Sequence, residues 1–132
     1  MSHFTKVRTK MVVRDHIVVA LEELGYDFEI GEALKIRGYT GKTAKAQIRV
    51  RTKSKFDIGF VEESGGAFSI VADWWGVRGM KKATFEREVS RRYAQVVVKA
   101  KLAEQGFDLV SSTEENGETR LLMRRMSADV LN

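Results

Sequence analysis

The residues best placed to do chemistry in this chain are cations. Between Ala33 and Phe56 no acidic residue occurs, while Lys35, Arg37, Lys42, Lys45, Arg49, Arg51, Lys53 and Lys55 all fall there. A second acid-free stretch near the N-terminus supplies Lys6, Arg8, Lys10 and Arg14. On an extended strand every second side chain shares a face. Over 45–53, Ala46, Ile48 and Val50 take one side, and Lys45, Gln47, Arg49, Arg51 and Lys53 take the other. Over 34–39 the same parity sends Leu34 and Ile36 inward and Lys35, Arg37 and Tyr39 outward. Over 4–13 it sends Val7, Met11 and Val13 inward and Lys6, Arg8 and Lys10 outward.

A face of this kind suits phosphates or carboxylates, and Tyr39 could stack a base. Arg49 and Arg51 should project about 7 Å apart, close to the spacing of successive phosphates or paired surface carboxylates. Reversing both to glutamate is expected to remove a partner while leaving the fold intact. A strand face can also be charged merely to stay wet and to discourage edge pairing. Sign favours docking, because a solvated face ordinarily mixes acids with bases.

Other constellations are weaker. The run Asp73-Trp74-Trp75-Gly76-Val77-Arg78 ends a strand with adjacent indoles, which point to opposite sides. One enters the core; Trp75 then either lids the core or lies exposed beside Arg78, Lys81 and Lys82, where it would suit a protein or nucleic-acid contact. Gly38-Tyr39-Thr40-Gly41-Lys42-Thr43 looks like a phosphate loop, but its glycines are too close for one and Ile36 stands where the first would be needed. It reads as a hairpin turn. His3 and His16 are the only histidines and no cysteine accompanies them, so no metal, cofactor or nucleophilic site is expected.

The elements that must position these residues follow from periodicity. Ile17, Ala20, Leu21 and Leu24 recur as one face of a helix over about 15–24, with Asp15 as expected N-cap and Gly25 as stop. Phe85, Val89, Tyr93, Val96, Val97, Ala100 and Ala103 mark a longer helix between Thr84 and Gly106. Strands are expected over 4–13, 34–39, 45–53, 57–62, 67–74, 107–113 and 119–126, with tight reversals at Glu63–Gly66 and Asn116-Gly117. The expected fold is α+β: a mostly antiparallel sheet with two helices packed on one face. Its 132 residues, 43% hydrophobic with no Pro or Cys and a net +5, suit one domain over 1–126 with a flexible tail over 127–132. No apolar run approaches the roughly 20 residues of a membrane helix, and no signal-peptide core opens the chain, so a cytoplasmic protein without membrane insertion is expected.

Several short segments resemble a known family. They are Met1-Ser2-His3-Phe4, Arg37-Gly38-Tyr39-Thr40-Gly41, Asp57-Ile58-Gly59-Phe60, Ala72-Asp73-Trp74, Arg92-Tyr93-Ala94 and Gln105-Gly106-Phe107, in order across nearly the whole chain. Together they resemble the hypothetical chloroplast reading frame thirty-five family of cyanobacteria, plastids and other bacteria. The resemblance brings no catalytic residue. It implies an accessory role beside iron–sulfur, ferredoxin-linked or photosynthetic machinery, with a ferredoxin-like protein as one possible partner. The residues themselves point to a small non-catalytic binding or adaptor module for an anionic partner, nucleic acid or acidic protein.

Overall fold

The structure is a computed structural model that describes residues 4–38 and 43–126. His3, Tyr39, Lys42 and the tail 127–132 lie outside the described residues. In chain order the elements are β1 (Thr5–Arg8), α1 (Arg14–Leu24), β2 (Phe28–Arg37), β3 (Thr43–Arg51), β4 (Asp57–Glu62), β5 (Phe68–Ala72), α2 (Lys82–Glu104), β6 (Phe107–Glu115) and β7 (Glu118–Arg125). All pairings are antiparallel, so the fold is α+β as its periodicity predicts. The chain forms two compact units, 1–93 and 94–132, and the boundary falls within α2.

In the first unit five strands run in the order β1-β5-β4-β3-β2. One core joins Ile17, Ala20 and Leu21 of α1 and Phe85, Val89 and Tyr93 of α2 to Ile48, Val50, Ile58, Phe60 and Ile70 of the sheet, all buried. The ring of Phe85 is its hub, meeting Phe60, Tyr26 and Trp74 at centroid distances of 6.2, 5.4 and 5.8 Å. Asp15 does not cap α1: the N-cap is Val13, which has no side-chain cap, and Asp15 sits in the first turn. The hydroxyl of Tyr93 accepts instead from the backbone N–H groups of Val12 and Val13, at 3.0 and 3.1 Å. A tertiary contact thus fixes the backbone that enters the helix, although no side chain caps its first turn. Gly25 ends the helix with φ 82°, the left-handed geometry that favours glycine.

In the second unit, β6 and β7 form a two-stranded ribbon whose turn holds Asn116 and Gly117 at φ 52° and 79°, as an Asn-Gly hairpin requires. Gln95 of α2 is buried and donates to Thr119 Oγ1 at 2.6 Å.

The sheet face opposite the helices departs from the expected open surface. Arg37 pairs with Thr43 at one end of β3, and Asp57 pairs with Arg51 at the other. In a flat sheet they would stand roughly 25 Å apart at 3.3 Å per residue. They are in fact in contact: Arg37 donates from Nε and its backbone N to Asp57 Oδ2 and from Nη2 to Oδ1, each at 2.9 Å. The outer part of the β2–β3 hairpin therefore folds back across the sheet. The bend starts where the register shifts, because β2 takes four steps from Ile30 to Leu34 while β3 takes two from Ile48 to Ala46. Gln47 closes the departure point, its Nε2 donating to the Glu32 carbonyl at 3.0 Å and its Oε1 accepting from Glu62 N–H at 2.7 Å. Gly59 is required beneath the arm, since a Cβ there would lie 2.6 Å from Ile36 Cγ1 and 3.0 Å from the Ala46 Cβ.

Asp57 is fully buried, whereas the Arg37 side chain is 48% exposed. Removing either partner should therefore cost different amounts. Arg37→Ala strands a buried carboxylate and should destabilise by about 3–5 kcal/mol. Asp57→Ala leaves a cation that water can reach and should cost about 1–3 kcal/mol. Urea melts of the two variants check this; equal losses would refute the clasp as the anchor of the arm.

Candidate anion-binding site

The register places Glu29, Arg49, Gly59, Val71 and Lys6 in one row across all five strands, on the face away from the helices. Of the expected cations, Lys6, Arg8, Arg49 and Arg51 lie on that face, but acids from outside the acid-free segment meet several of them there. Glu29 holds both Arg49 and Arg51: Arg51 Nε donates to Glu29 Oε1 at 2.8 Å, and Arg49 Nη2 pairs with Oε2. Arg49 also donates from Nη1 to the Lys35 carbonyl at 3.1 Å, and its side chain is only 18% exposed. Arg37 is clasped by Asp57, and Lys6 Nζ lies 2.9 Å from Glu63 Oε1. Lys35 and Lys45 are exposed and face each other across the outer hairpin, and Arg8 is exposed on β1. The continuous basic sheet face expected from the sequence is thus broken up. It is neutralised at Glu29, Asp57 and Glu63 and covered where the arm folds over.

This changes the expectation for the double reversal of Arg49 and Arg51. Both guanidiniums already hold Glu29, so two glutamates there would gather three carboxylates and disturb the fold.

The structure brings two of the expected residues together at a different place. Lys53 and Trp75 line one cleft of about 540 Å³, with Ser54, Lys55 and Phe56 on one side and Gly76 and Arg78 on the other. The 52–56 loop is locked by its own hydroxyls. Thr52 Oγ1 donates to the Phe56 carbonyl at 2.5 Å, and the backbone N–H groups of Ser54 and Phe56 donate to Thr52 Oγ1 and Ser54 Oγ at 3.1 and 3.2 Å. Thr52, Ser54 and Phe56 are consequently half-buried and Lys53 and Lys55 exposed. In the facing loop, Gly76 and Val77 donate back to the carbonyls of Asp73 and Trp74 at 3.1 and 3.3 Å, closing a turn. Trp74 covers the core against Phe85, which leaves Trp75 70% exposed. The loops meet at Gly76, where a Cβ would stand 2.2 Å from the Phe56 ring. Residue 76 must be glycine for that ring to form the cleft floor.

Among the described residues no acidic side chain lines this cleft. Two smaller depressions contain both signs: Glu63 beside Arg8 in one, Asp15 and Glu62 beside Arg14 in the other. Among the described residues no group of three or more His, Asp or Glu side chains could hold a metal ion, and His16 lies edge-on to Tyr93 at 6.1 Å. Among the described residues no helix is long and apolar enough to cross a membrane.

A family model described as "Protein of unknown function (DUF1257)" matches residues 20–122. The chain belongs to this family. It is 28% identical over 128 residues to "Uncharacterized protein ycf35" of Cyanophora paradoxa, covering 95% of this chain and 98% of that one. It is 29% identical over 132 residues to the protein of the same description in Guillardia theta, again covering 95% and 98%. No solved structure matches the chain. The family match spans β2 to β5 and the cleft loops but not β1.

Sequence reasoning missed the three acids and the pairing of the two loops. Asp57 directly follows the acid-free segment and Glu29 precedes it, but only the hairpin register shows what they meet. Glu29 also has a measurable signature. The hydrogen bonds from Arg51 and then Arg49 hold its carboxyl below the usual carboxylate range. Stabilisation from a carboxyl depressed in the folded state is present above its unfolded pKa and is lost as pH falls through the folded one. Wild type should therefore lose thermal stability on acidification below the usual carboxylate range. Glu29→Gln should start lower at neutral pH and fall less steeply in acid. Parallel melting-temperature profiles for the two proteins would contradict this role.

Proposed function

We propose that this chain is a small, non-catalytic, cytoplasmic binding module that docks an anionic partner, nucleic acid or acidic protein. One observation carries the reading: Lys53, Lys55 and Arg78 line a preformed cleft beside an exposed indole, with no acid among the described lining residues. Elsewhere on the first unit Arg37, Arg49 and Arg51 are matched by carboxylates, so their charge is spent inside the fold. Unmatched cations in a concavity focus positive potential and raise the local concentration of anions. Lys81 and Lys82 follow Arg78 in the chain, are exposed, and extend the same sign. A ferredoxin-linked accessory role would draw on the same charges through an acidic protein surface.

The test uses the tagged full chain as bait in low-salt extracts, with and without nuclease. Wild type should retain an anionic partner that raised salt releases. Lys53→Glu with Lys55→Glu should lose it while melting as wild type does, because both side chains are exposed. A partner destroyed by nuclease identifies nucleic acid, and one that survives identifies an acidic protein. Undiminished capture by the double variant would remove the cleft from the function.

A further inference from the structure

We infer that the cleft between the 52–56 and 74–78 loops binds a nucleotide unit, its base laid against the Trp75 indole and its phosphate held by Lys53, Lys55 and Arg78. The inference rests on the anionic-partner reading and narrows it to one ligand chemistry.

Three features argue for a planar anion rather than a charged protein surface. The first is shape. A cleft of about 540 Å³ falls within the roughly 300–1,000 Å³ of small-ligand sites, whereas a convex acidic surface would be met by exposed rows of charge such as Lys35 and Lys45.

The second is the pairing of ring and charge. Trp75 is 70% exposed, the most exposed of the large hydrophobic side chains in the described chain, and it lines the cleft together with the Phe56 ring and the cations Lys53, Lys55 and Arg78. A nucleotide uses both at once, since every base offers a flat face for stacking and every phosphate an acceptor for Lys and Arg.

The third is rigidity. The lysine loop is pinned by Thr52 and Ser54 hydroxyls, and the tryptophan loop is pinned by its own turn and by Phe56 packed on Gly76. Little ordering remains to be done when a ligand arrives, which favours recognition of something small. None of the arginines already engaged by Glu29 or Asp57 is needed.

The experiment titrates the full chain at low salt with a short single-stranded oligodeoxynucleotide, an abasic oligomer of the same length, and adenosine monophosphate, read by tryptophan fluorescence and by direct binding. Because Trp74 packs on Phe85, quenching on stacking should come from Trp75. The base-bearing oligomer should bind at least about tenfold tighter than the abasic one. Trp75→Ala should erase that difference, Trp75→Phe should restore most of it, and Lys53→Glu with Lys55→Glu should weaken both oligomers. Equal binding of the base-bearing and abasic oligomers, or a base preference that survives Trp75→Ala, would overturn the nucleotide inference and leave the anionic reading standing. Failure of every oligomer and of the mononucleotide, with an acidic protein still captured through Lys53 and Lys55, would do the same. Loss of all anion binding in wild type would overturn both. If the mononucleotide matches the oligomer the ligand is a free nucleotide; if it binds far more weakly, the site reads one unit of a strand.

Discussion

The clasp of Arg37 on Asp57 is the contact from which the arrangement of the first unit follows. It joins the outer end of the β2–β3 hairpin to the start of β4, two places that strand register alone would hold far apart. A fully buried carboxylate is tolerated only when its acceptor sites are filled, and Asp57 receives three donors from one residue. Holding the arm there lays Ile36 and Ala46 over Gly59 and gives the sheet an apolar contact on its second face. On the same face of the sheet Ser69 and Val71 of β5 are buried as well.

The same folding-back sets the electrostatics. Along the chain the positive charges look unopposed because the acids lie just outside their segment. In space Glu29 reaches two arginines from the neighbouring strand, Asp57 takes a third, and Glu63 takes Lys6. The more exposed of these pairs, Arg51–Glu29 and Lys6–Glu63, add little stability individually, yet all of them reduce the positive potential that the strand pattern suggests. What remains exposed includes Arg8, Lys35 and Lys45 on strands and Lys53, Lys55 and Arg78 in the two cleft loops.

Those loops owe their form to local chemistry. Hydroxyls two residues apart, at Thr52 and Ser54, hold the backbone in a fixed turn and force the lysines between and beyond them outward. The double tryptophan then divides its labour, one indole completing the core around Phe85 and the other largely exposed at the cleft. Binding surfaces are commonly built on loops that a rigid scaffold positions, and here the scaffold is the buried pair of strands β4 and β5. The family match over residues 20–122 covers these loops together with the strands that carry them.

The sequence by itself determined the α+β class, both helices, the glycine stops at Gly25 and Gly106, the Asn-Gly hairpin and the parity of Lys45 to Arg51, because periodicity and turn chemistry are local properties. It also contained a sign that the far face is covered: Phe68-Ser69-Ile70-Val71-Ala72 does not alternate, as expected of a strand buried on both sides. Only the tertiary structure decided which carboxylate meets which arginine, that Tyr93 and not Asp15 secures the start of α1, and that Lys53 shares a cleft with Trp75. Each of these joins residues 20 or more positions apart. Such contacts depend on a two-residue register shift in β2 and on the close approach of two loops at Gly76, and neither leaves a periodic trace in the chain.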